Sequence, residues 1–255
     1  MKSISLGTLT LLSILTPLAA EGAITELELN KLDSLRKGKE TNYSEVERIG
    51  ALLLKEFKEP ADQGRIYYRL SHVYAQSGLV HPEKVIEHAK DALKYPLSDN
   101  EKLRLHVYCG DATQVMKTPF AERRRTSAAF YFQGLHDIQN RELAVDADDP
   151  GPPPNAVFEP EKRIKAFEKW TAASEKFKQA KVIANHKRVM IRQITDLYAR
   201  RPPDDAEAKR LSKEYLGDSP MQKEFAANLD ETAKARSLPA KPPAPDTPLP
   251  SGQKK

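Results

Sequence analysis

The sequence predicts an all-α protein, and three observations support this prediction. Glycine is scarce and proline is common, with 11 and 19 residues in a chain of 255, whereas folds built from strands and tight turns consume glycine. The prolines separate long charged segments of residues that favour helices. Apolar residues recur at intervals of three and four, and no strand signal recurs in this way. The composition therefore argues against a β-sandwich or a β-barrel.

The first 22 residues are predicted to be a secretory signal peptide. Lys2 precedes an apolar run from Ile4 to Leu18, and the small residues Ala19 and Ala20 follow it, as in such peptides. The run is shorter than the roughly 20 residues that span a bilayer. We therefore expect the cleaved protein not to span a membrane and to be exported to the periplasm or the extracellular space. An uncleaved membrane anchor is the alternative.

Six helices are predicted between residues 23 and 143, joined by short connections. An apolar stripe marks the first helix, and capping boxes at Ser44–Glu47 and Ser98–Glu101 open the second and the fifth. Pro60 ends the second helix, Gly78 ends the third in the left-handed conformation, and first-turn prolines open the fourth and sixth. The predicted ranges are 24–35, 44–57, 61–77, 83–95, 98–117 and 118–143.

Proline-rich segments divide the rest of the sequence. Residues 144–160 are predicted to be an acidic linker, because Pro152–Pro154 cannot continue a helix. No helix breaker interrupts residues 159–200, which predicts one long helix or two helices joined near Asn185–His186. Two shorter helices follow at 204–216 and 220–236, and with the long helix they form the region 161–236. The tail 237–255 holds six prolines and few bulky apolar residues, so we expect it to be disordered.

Short connections make neighbouring helices antiparallel, so the six helices form three consecutive hairpins. The second and third hairpins share an order of large and small residues. The pattern comprises Leu70, Ser71, Tyr74, Gly78, Val85, Ala89, Ala92, Leu93 and Pro96 in one hairpin and Cys109, Gly110, Ser127, Tyr131, Gly134 and Leu135 in the next. It resembles the tetratricopeptide repeat (TPR) family over residues 61–143. Three features depart from that family: the turn after Gly78 is two residues longer, the returning helix of the third hairpin starts late, and Thr113 stands where tyrosine is expected.

The resemblance implies a short solenoid of stacked hairpins for residues 23–143, with a generic helical bundle as the alternative. It also implies a groove lined by the first helix of each hairpin. Arg65 and Arg104 fall at equivalent places one repeat apart, where two guanidinium groups are suited to hold a carboxylate. Two solvated arginines on an unoccupied face are the alternative. The groove positions carried over from the family are Arg65, Tyr68, His72, Arg104, Asp111 and Gln114.

Catalytic and metal-binding patterns are sparse. The single cysteine, Cys109, excludes an intramolecular disulfide and a thiolate-cluster metal site. The histidines do not form the paired pattern of zinc proteases, and there is no glycine-rich phosphate loop. Ser34–Lys37 matches the spacing of some acylating enzymes but has no companion motif. We therefore predict no enzymatic activity, no cofactor and no metal site, and an enzyme with scattered residues is the third-ranked hypothesis.

The formal charge of +5 does not by itself indicate nucleic-acid binding. Basic and acidic residues are interspersed at helical spacing, whereas nucleic-acid-binding domains gather basic residues into a patch. We expect no nucleic-acid partner. The predicted function is an exported TPR-like module that binds a protein or peptide and has no catalytic activity of its own. The alternative is a structural scaffold of the cell envelope that forms a homo-oligomer through the helix at 159–200.

Overall fold

The computed structural model describes residues 23–140, 147–154 and 159–237, and these residues confirm the all-α class. Within these ranges there is no strand. The predicted signal peptide at 1–22 and the tail beyond Ser237 lie outside the described residues, as do 141–146 and 155–158 of the linker region. The helices are α1 (Glu26–Ser34), α2 (Tyr43–Glu56), α3 (Pro60–Gln76), α4 (Pro82–Ala92), α5 (Asp99–Val115), α6 (Phe120–Asn140), α7 (Pro160–Ala199), α8 (Asp205–Leu216) and α9 (Pro220–Ser237).

Most of the predicted helix ends are confirmed. Ser98 accepts a hydrogen bond from the backbone N–H of Glu101, and the Glu101 carboxylate accepts one from the backbone N–H of Ser98, at 3.3 and 2.9 Å. Gly78 follows α3 with a φ of +83°, a conformation that side chains with a Cβ resist. The long helix α7 runs without a break through His186, so it is one helix of 40 residues.

Two details at the ends of α2 were predicted wrongly. The residue that caps α2 is Asn42, whose side-chain oxygen accepts a hydrogen bond from the N–H of Glu45 at 3.2 Å. The helix therefore begins at Tyr43, and Ser44 lies in its first turn. Asparagine and serine are comparable caps, so the sequence alone does not choose between them. Pro60 does not end α2 but opens α3, where a missing N–H costs nothing.

The helices pack in a regular order of neighbours. Helix α1 packs on α3, α3 on α5, and α5 on α7, so these four follow one another side by side. Each remaining helix of the first six packs against the helix that follows it: α2 against α3, α4 against α5, and α6 against α7. Helices α8 and α9 pack on α7 and on each other. One side of the molecule is therefore built from α1, α3, α5 and α7.

Small residues allow the hairpin helices to approach closely. A Cβ on Gly110 would lie 2.4 Å from the ring of Tyr131, so α5 and α6 fit together only with glycine at this place. The Ser127 hydroxyl donates to the carbonyl of Gly110 at 2.8 Å, and the Ser71 hydroxyl donates to the carbonyl of Val85 at 3.0 Å. These serines and glycines are among the residues that carry the resemblance described above.

Candidate binding surface

The structure brings three of the six predicted groove residues together. Tyr68 and His72 lie one turn apart on α3, and their rings stack with centroids 6.3 Å apart. Arg104 on α5 donates a hydrogen bond from Nη1 to the Tyr68 hydroxyl at 3.5 Å. Two adjacent helices thus bring the exposed Arg104 to the half-buried His72 and the buried Tyr68.

A fourth residue, Tyr108, belongs to the same place and was not predicted. Its hydroxyl lies 2.8 Å from Nδ1 of His72, and the two rings have centroids 5.8 Å apart. Tyr108 follows Arg104 by four residues in α5, so both lie on the same helix face. That spacing is the signal by which the sequence could have identified it. We call Tyr68, His72, Arg104 and Tyr108 the Tyr68–Arg104 cluster.

Burial keeps two rings of the cluster, those of His72 and Tyr108, uncharged. Burial lowers the pKa of the His72 imidazole, while the carboxylate of Asp33 acts in the opposite direction and the nearby arginines lower the pKa further. Burial also raises the pKa of the Tyr108 hydroxyl to about 12. The positive charges that act on His72 are those of Arg69, Arg36 and Arg104. The charge of this surface at neutral pH therefore comes from arginine.

Two of these three arginines form no ion pair with another described residue, although the carboxylate of Glu101 acts on Arg104. Arg69 is neutralised by Asp33 and Glu26, at 2.6 and 2.9 Å. Arg36 and Arg104 are exposed, and neither forms an ion pair with another residue of the described ranges. An exposed guanidinium without a carboxylate retains its capacity for bidentate hydrogen bonding. The cluster therefore carries unused positive charge beside apolar rings.

Arg65 lies elsewhere, against α1. Its guanidinium donates to the backbone carbonyl of Ile24 and pairs with the carboxylate of Glu26, both at 2.7 Å. Helix α1 packs on α3 and brings Glu26 to this position. The protein thus provides Arg65 with an internal carboxylate. Sequence spacing could not reveal a partner 39 residues away.

Asp111 and Gln114 connect α5 to α6 through the buried Tyr131. The Tyr131 hydroxyl donates to the Asp111 carboxylate at 2.6 Å and accepts from the Gln114 side-chain amide at 2.9 Å. Burial raises the pKa of Asp111, and the hydrogen bond from Tyr131 partly opposes this. Both side chains therefore satisfy a buried tyrosine between two helices, and this arrangement serves packing.

Helix α7 extends the surface beyond the cluster. His186 lies with Nε2 2.9 Å from the side-chain oxygen of Asn100, and its pKa is lowered by burial and by the charge of Arg104. Beside this contact lies a cleft of about 580 Å³, which we call the α5–α7 cleft. Its lining residues are Ser98, Asp99 and Asn100 at the start of α5 and Lys178, Gln179, Val182 and Ile183 of α7.

Other chemistry has little support in the described ranges. Burial raises the pKa of the Cys109 thiol to about 12, so at neutral pH it is protonated and a poor nucleophile. Across residues 23–140, 147–154 and 159–237, no three His, Cys, Asp or Glu side chains are placed to share a metal ion. None of the helices in these ranges has the length and apolar character needed to cross a bilayer. Comparison of the sequence and structure with protein-family models, curated proteins and solved structures gives no match.

Proposed function

We propose that the protein is an exported binding module, without catalytic activity of its own, that holds a protein or peptide partner at the Tyr68–Arg104 cluster. The observation that carries this proposal is the pair of exposed guanidinium groups, Arg36 and Arg104, that lack ion pairs with other described residues beside the cluster's aromatic rings. Arginine and tyrosine are the residue types that dominate the energetics of protein interfaces. Export is proposed from residues 1–22.

The chemistry of the cluster favours a partner that offers a carboxylate next to an apolar group. Guanidinium groups bind carboxylates through two parallel hydrogen bonds, which fix orientation as well as affinity. Tyr68 is buried in the core, so its hydroxyl orients Arg104, and the apolar contact area comes from the half-buried ring of Tyr108, a side chain with few rotatable bonds. An acidic residue or the terminal carboxylate of a peptide meets this requirement.

The test is to select peptides that bind the protein and to measure whether their binding depends on the Tyr68–Arg104 cluster. A displayed library of random peptides is selected on the full-length protein, and the enriched peptides are measured by fluorescence anisotropy. We expect Arg104→Glu to weaken the enriched peptides by about tenfold or more, because charge reversal repels a carboxylate. Arg192→Glu is the control, since this arginine is exposed on α7, outside the cluster, and pairs only with Asp196 among the described residues. Absence of enrichment, or equal affinity for wild type and Arg104→Glu, contradicts the proposal.

A second candidate function, the self-associating scaffold, is favoured by a different observation. Ile164 and Phe167 of α7 are 59% and 54% exposed, and exposed apolar pairs on a long helix are typical of helix association. Light scattering on the full-length protein measures this directly. A dimer that dissociates in Phe167→Glu supports the scaffold, and a monomer at every concentration reached contradicts it.

A further inference from the structure

We propose that a small cavity between the start of α6 and the end of α7 binds a phosphate group, as the free ion or as the charged end of a small phosphate monoester. The cavity shares no residue with the Tyr68–Arg104 cluster, so this site is independent of the proposed function. Its volume is about 140 Å³, whereas pockets for drug-sized ligands enclose roughly 300–1,000 Å³. We call it the arginine cavity. Its lining residues are Gln114, Phe120, Arg123, Arg124, Leu197 and Arg200.

Three of these six residues are arginines, and none of the six is acidic. Arg123 and Arg124 lie in the first turns of α6, and Arg200 directly follows α7. Helices α6 and α7 pack against each other, which brings the three guanidinium groups to one place. Each guanidinium group offers five N–H donors in a rigid fork. The cavity is therefore built from donors that approach from different sides.

The buried packing of Arg124 fixes its guanidinium group in the wall of the cavity. Its side chain is only 7% exposed, and its guanidinium carbon lies 4.8 Å from the ring centroid of Tyr198 and 5.6 Å from that of Phe120. Its Nη2 lies 3.3 Å from the carboxylates of both Asp204 and Glu207. Its Nε–H is buried and has no hydrogen-bond partner among the described residues. A buried donor without a partner costs free energy, and a bound anion supplies the missing acceptor.

The charges of Arg123 and Arg200 are not neutralised by other side chains of the described ranges. Arg123 is half-buried, and its Nη1 donates to the backbone carbonyl of Gln114 at 3.0 Å. The Nε–H of Arg123 is buried and, like that of Arg124, lacks a hydrogen-bond partner there. Arg200 is exposed. Neither Arg123 nor Arg200 forms an ion pair with another described residue, so two positive charges are available to a ligand.

The acidic residues closest in sequence to these arginines do not compete for the cavity. Glu122 lies two positions before Arg124, which places it on the opposite side of α6. Asp196 lies one turn before Arg200 and is 3.6 Å from Nε of Arg192. The two carboxylates that contact Arg124 neutralise that residue alone within the cavity. The remaining charge of the lining is therefore positive.

The number and direction of the donors favour phosphate over a carboxylate. A carboxylate accepts two parallel hydrogen bonds from a single guanidinium group, whereas a phosphate monoester offers three strong acceptor oxygens and a charge of about −1.5 to −2 at neutral pH. Three arginines around one small volume match the phosphate. The apolar side chains of Phe120 and Leu197 strengthen the attraction, because hydrogen bonds are stronger where the local dielectric is low. Arg200 is exposed, so the organic part of a monoester can extend into solvent beside it.

Helix ends near the cavity act in both directions. Phe120 begins α6, and the positive end of that helix dipole attracts an anion. Gln114 lies in the last turn of α5 and Arg200 follows α7, and the carbonyl groups of these two ends are alternative acceptors for the same guanidinium groups. The experiment therefore has to distinguish a phosphate site from arginines that only cap helices.

Isothermal titration calorimetry of the full-length protein with inorganic phosphate tests the proposal. Acetate at the same ionic strength is the competing anion, and glycerol 3-phosphate is the monoester. We expect phosphate to bind at least about tenfold more tightly than acetate. Equal affinity for acetate overturns phosphate as the ligand chemistry. Binding of glycerol 3-phosphate as tight as that of phosphate supports a phosphate group carried by a larger molecule, and binding of inorganic phosphate alone supports the free ion.

Variants of the two unpaired arginines test whether binding occurs in the arginine cavity. We expect Arg123→Gln and Arg200→Gln each to weaken phosphate by about tenfold or more, because each removes charge-assisted hydrogen bonds. Arg192→Gln is the matched control, since it removes the same charge from an exposed position of α7. Arg123 is half-buried and Arg200 is exposed, so we expect the variants to fold, and circular dichroism verifies this.

Two results would overturn the proposal. If phosphate does not bind the wild type while Arg123→Gln lowers the free energy of unfolding, the arginines only cap helix ends. If Arg192→Gln weakens phosphate as much as the cavity variants do, phosphate responds to the overall charge and not to this site. Neither result bears on the proposed function, which is tested with peptides and Arg104→Glu. Failure of one proposal therefore leaves the other standing.

Discussion

The two halves of α7 have the same kind of sequence and different environments. In both, apolar residues recur at threes and fours among charged residues. The half from 160 to 179, which we call the exposed segment, has no buried residue, whereas the half from 180 to 199 packs against α5, α6, α8 and α9. The buried residues of the second half are Ala180, Ile183, Met190, Ile191, Ile194, Thr195, Leu197 and Tyr198. Apolar spacing therefore predicts a helix but does not predict which part of it is covered.

Local interactions maintain the helix where neighbouring helices are absent. Neither glycine nor proline occurs between 161 and 199, and alanine, lysine and glutamate favour the helix. Lys178 pairs with Glu175 at 2.6 Å, and the ammonium group of Lys181 lies 4.5 Å from the ring centroid of Phe177. Exposed pairs of this kind contribute about 0.2–0.5 kcal/mol each. The exposed segment is thus held by weak local interactions and the other half by burial.

The comparison is tested most strongly by shortening one isoleucine in each half. Ile194 is fully buried and Ile164 is 59% exposed. We expect Ile194→Ala to lower the free energy of unfolding by about 2–5 kcal/mol, because it removes buried methyl groups and leaves a cavity. We expect Ile164→Ala to change it by less than about 0.5 kcal/mol. Urea unfolding followed by circular dichroism measures both.

The two isoleucine variants control for each other, since the substitution and the helix are the same. If both variants lose a similar free energy of unfolding, Ile164 is packed in solution. The contrast between a buried and an exposed half of α7 would then be wrong. A loss confined to Ile164→Ala in a dimeric sample would instead indicate burial by a second copy.

Hydrogen exchange gives a second test, residue by residue along one helix. Amides of residues 186–198 exchange only when the packed helices unfold together. Those of the exposed segment exchange through local unfolding, which breaks few contacts. We expect protection in 186–198 to exceed protection in 162–178 by about 100-fold or more. Uniform protection along α7 would contradict a locally stabilised segment.

The sequence predicts the helices well because their ends depend on nearby residues. The Ser98 capping box, Gly78 after α3 and the proline in the first turn of α4 are all decided within four residues along the sequence. The clearest error, Ser44 instead of Asn42, is a choice between two residues of similar capping strength. Local chemistry was sufficient for the fold class and for most helix boundaries.

The candidate site was harder to predict because its contacts join residues that are distant in sequence. Tyr68, His72 and Arg104 were identified by family resemblance, and the structure places them together. The ion pair of Arg65 with Glu26 depends on how α1 packs on α3, which no spacing rule reveals. The contact of His186 with Asn100 likewise depends on how α7 packs on α5. Sequence spacing therefore did not identify the side-chain contacts that depend on tertiary packing.

The smallest expected effect concerns His186, which marks the boundary between the two halves of α7. Burial and the charge of Arg104 lower its pKa, so the folded protein favours the neutral imidazole. Because the unfolded state has the ordinary pKa of about 6.5, the stabilising contribution is complete above that pH. It is lost as the pH falls from about 6.5 towards the lowered pKa, since the unfolded state then binds more protons. Stability should therefore decline on mild acidification, and His186→Gln should reduce this decline.

Arg104→Gln isolates the electrostatic part of this effect. Removing the guanidinium charge should raise the pKa of His186 towards its ordinary value, while burial continues to hold it lower. Titration of the imidazole followed by NMR measures the change, and Arg192→Gln, on the same helix as His186 but outside the cluster, should leave it unaltered. If the pKa of His186 is unchanged in Arg104→Gln, the charge of Arg104 does not act on α7. A raised pKa would show that the charge of Arg104 on α5 acts on the imidazole of His186 on α7.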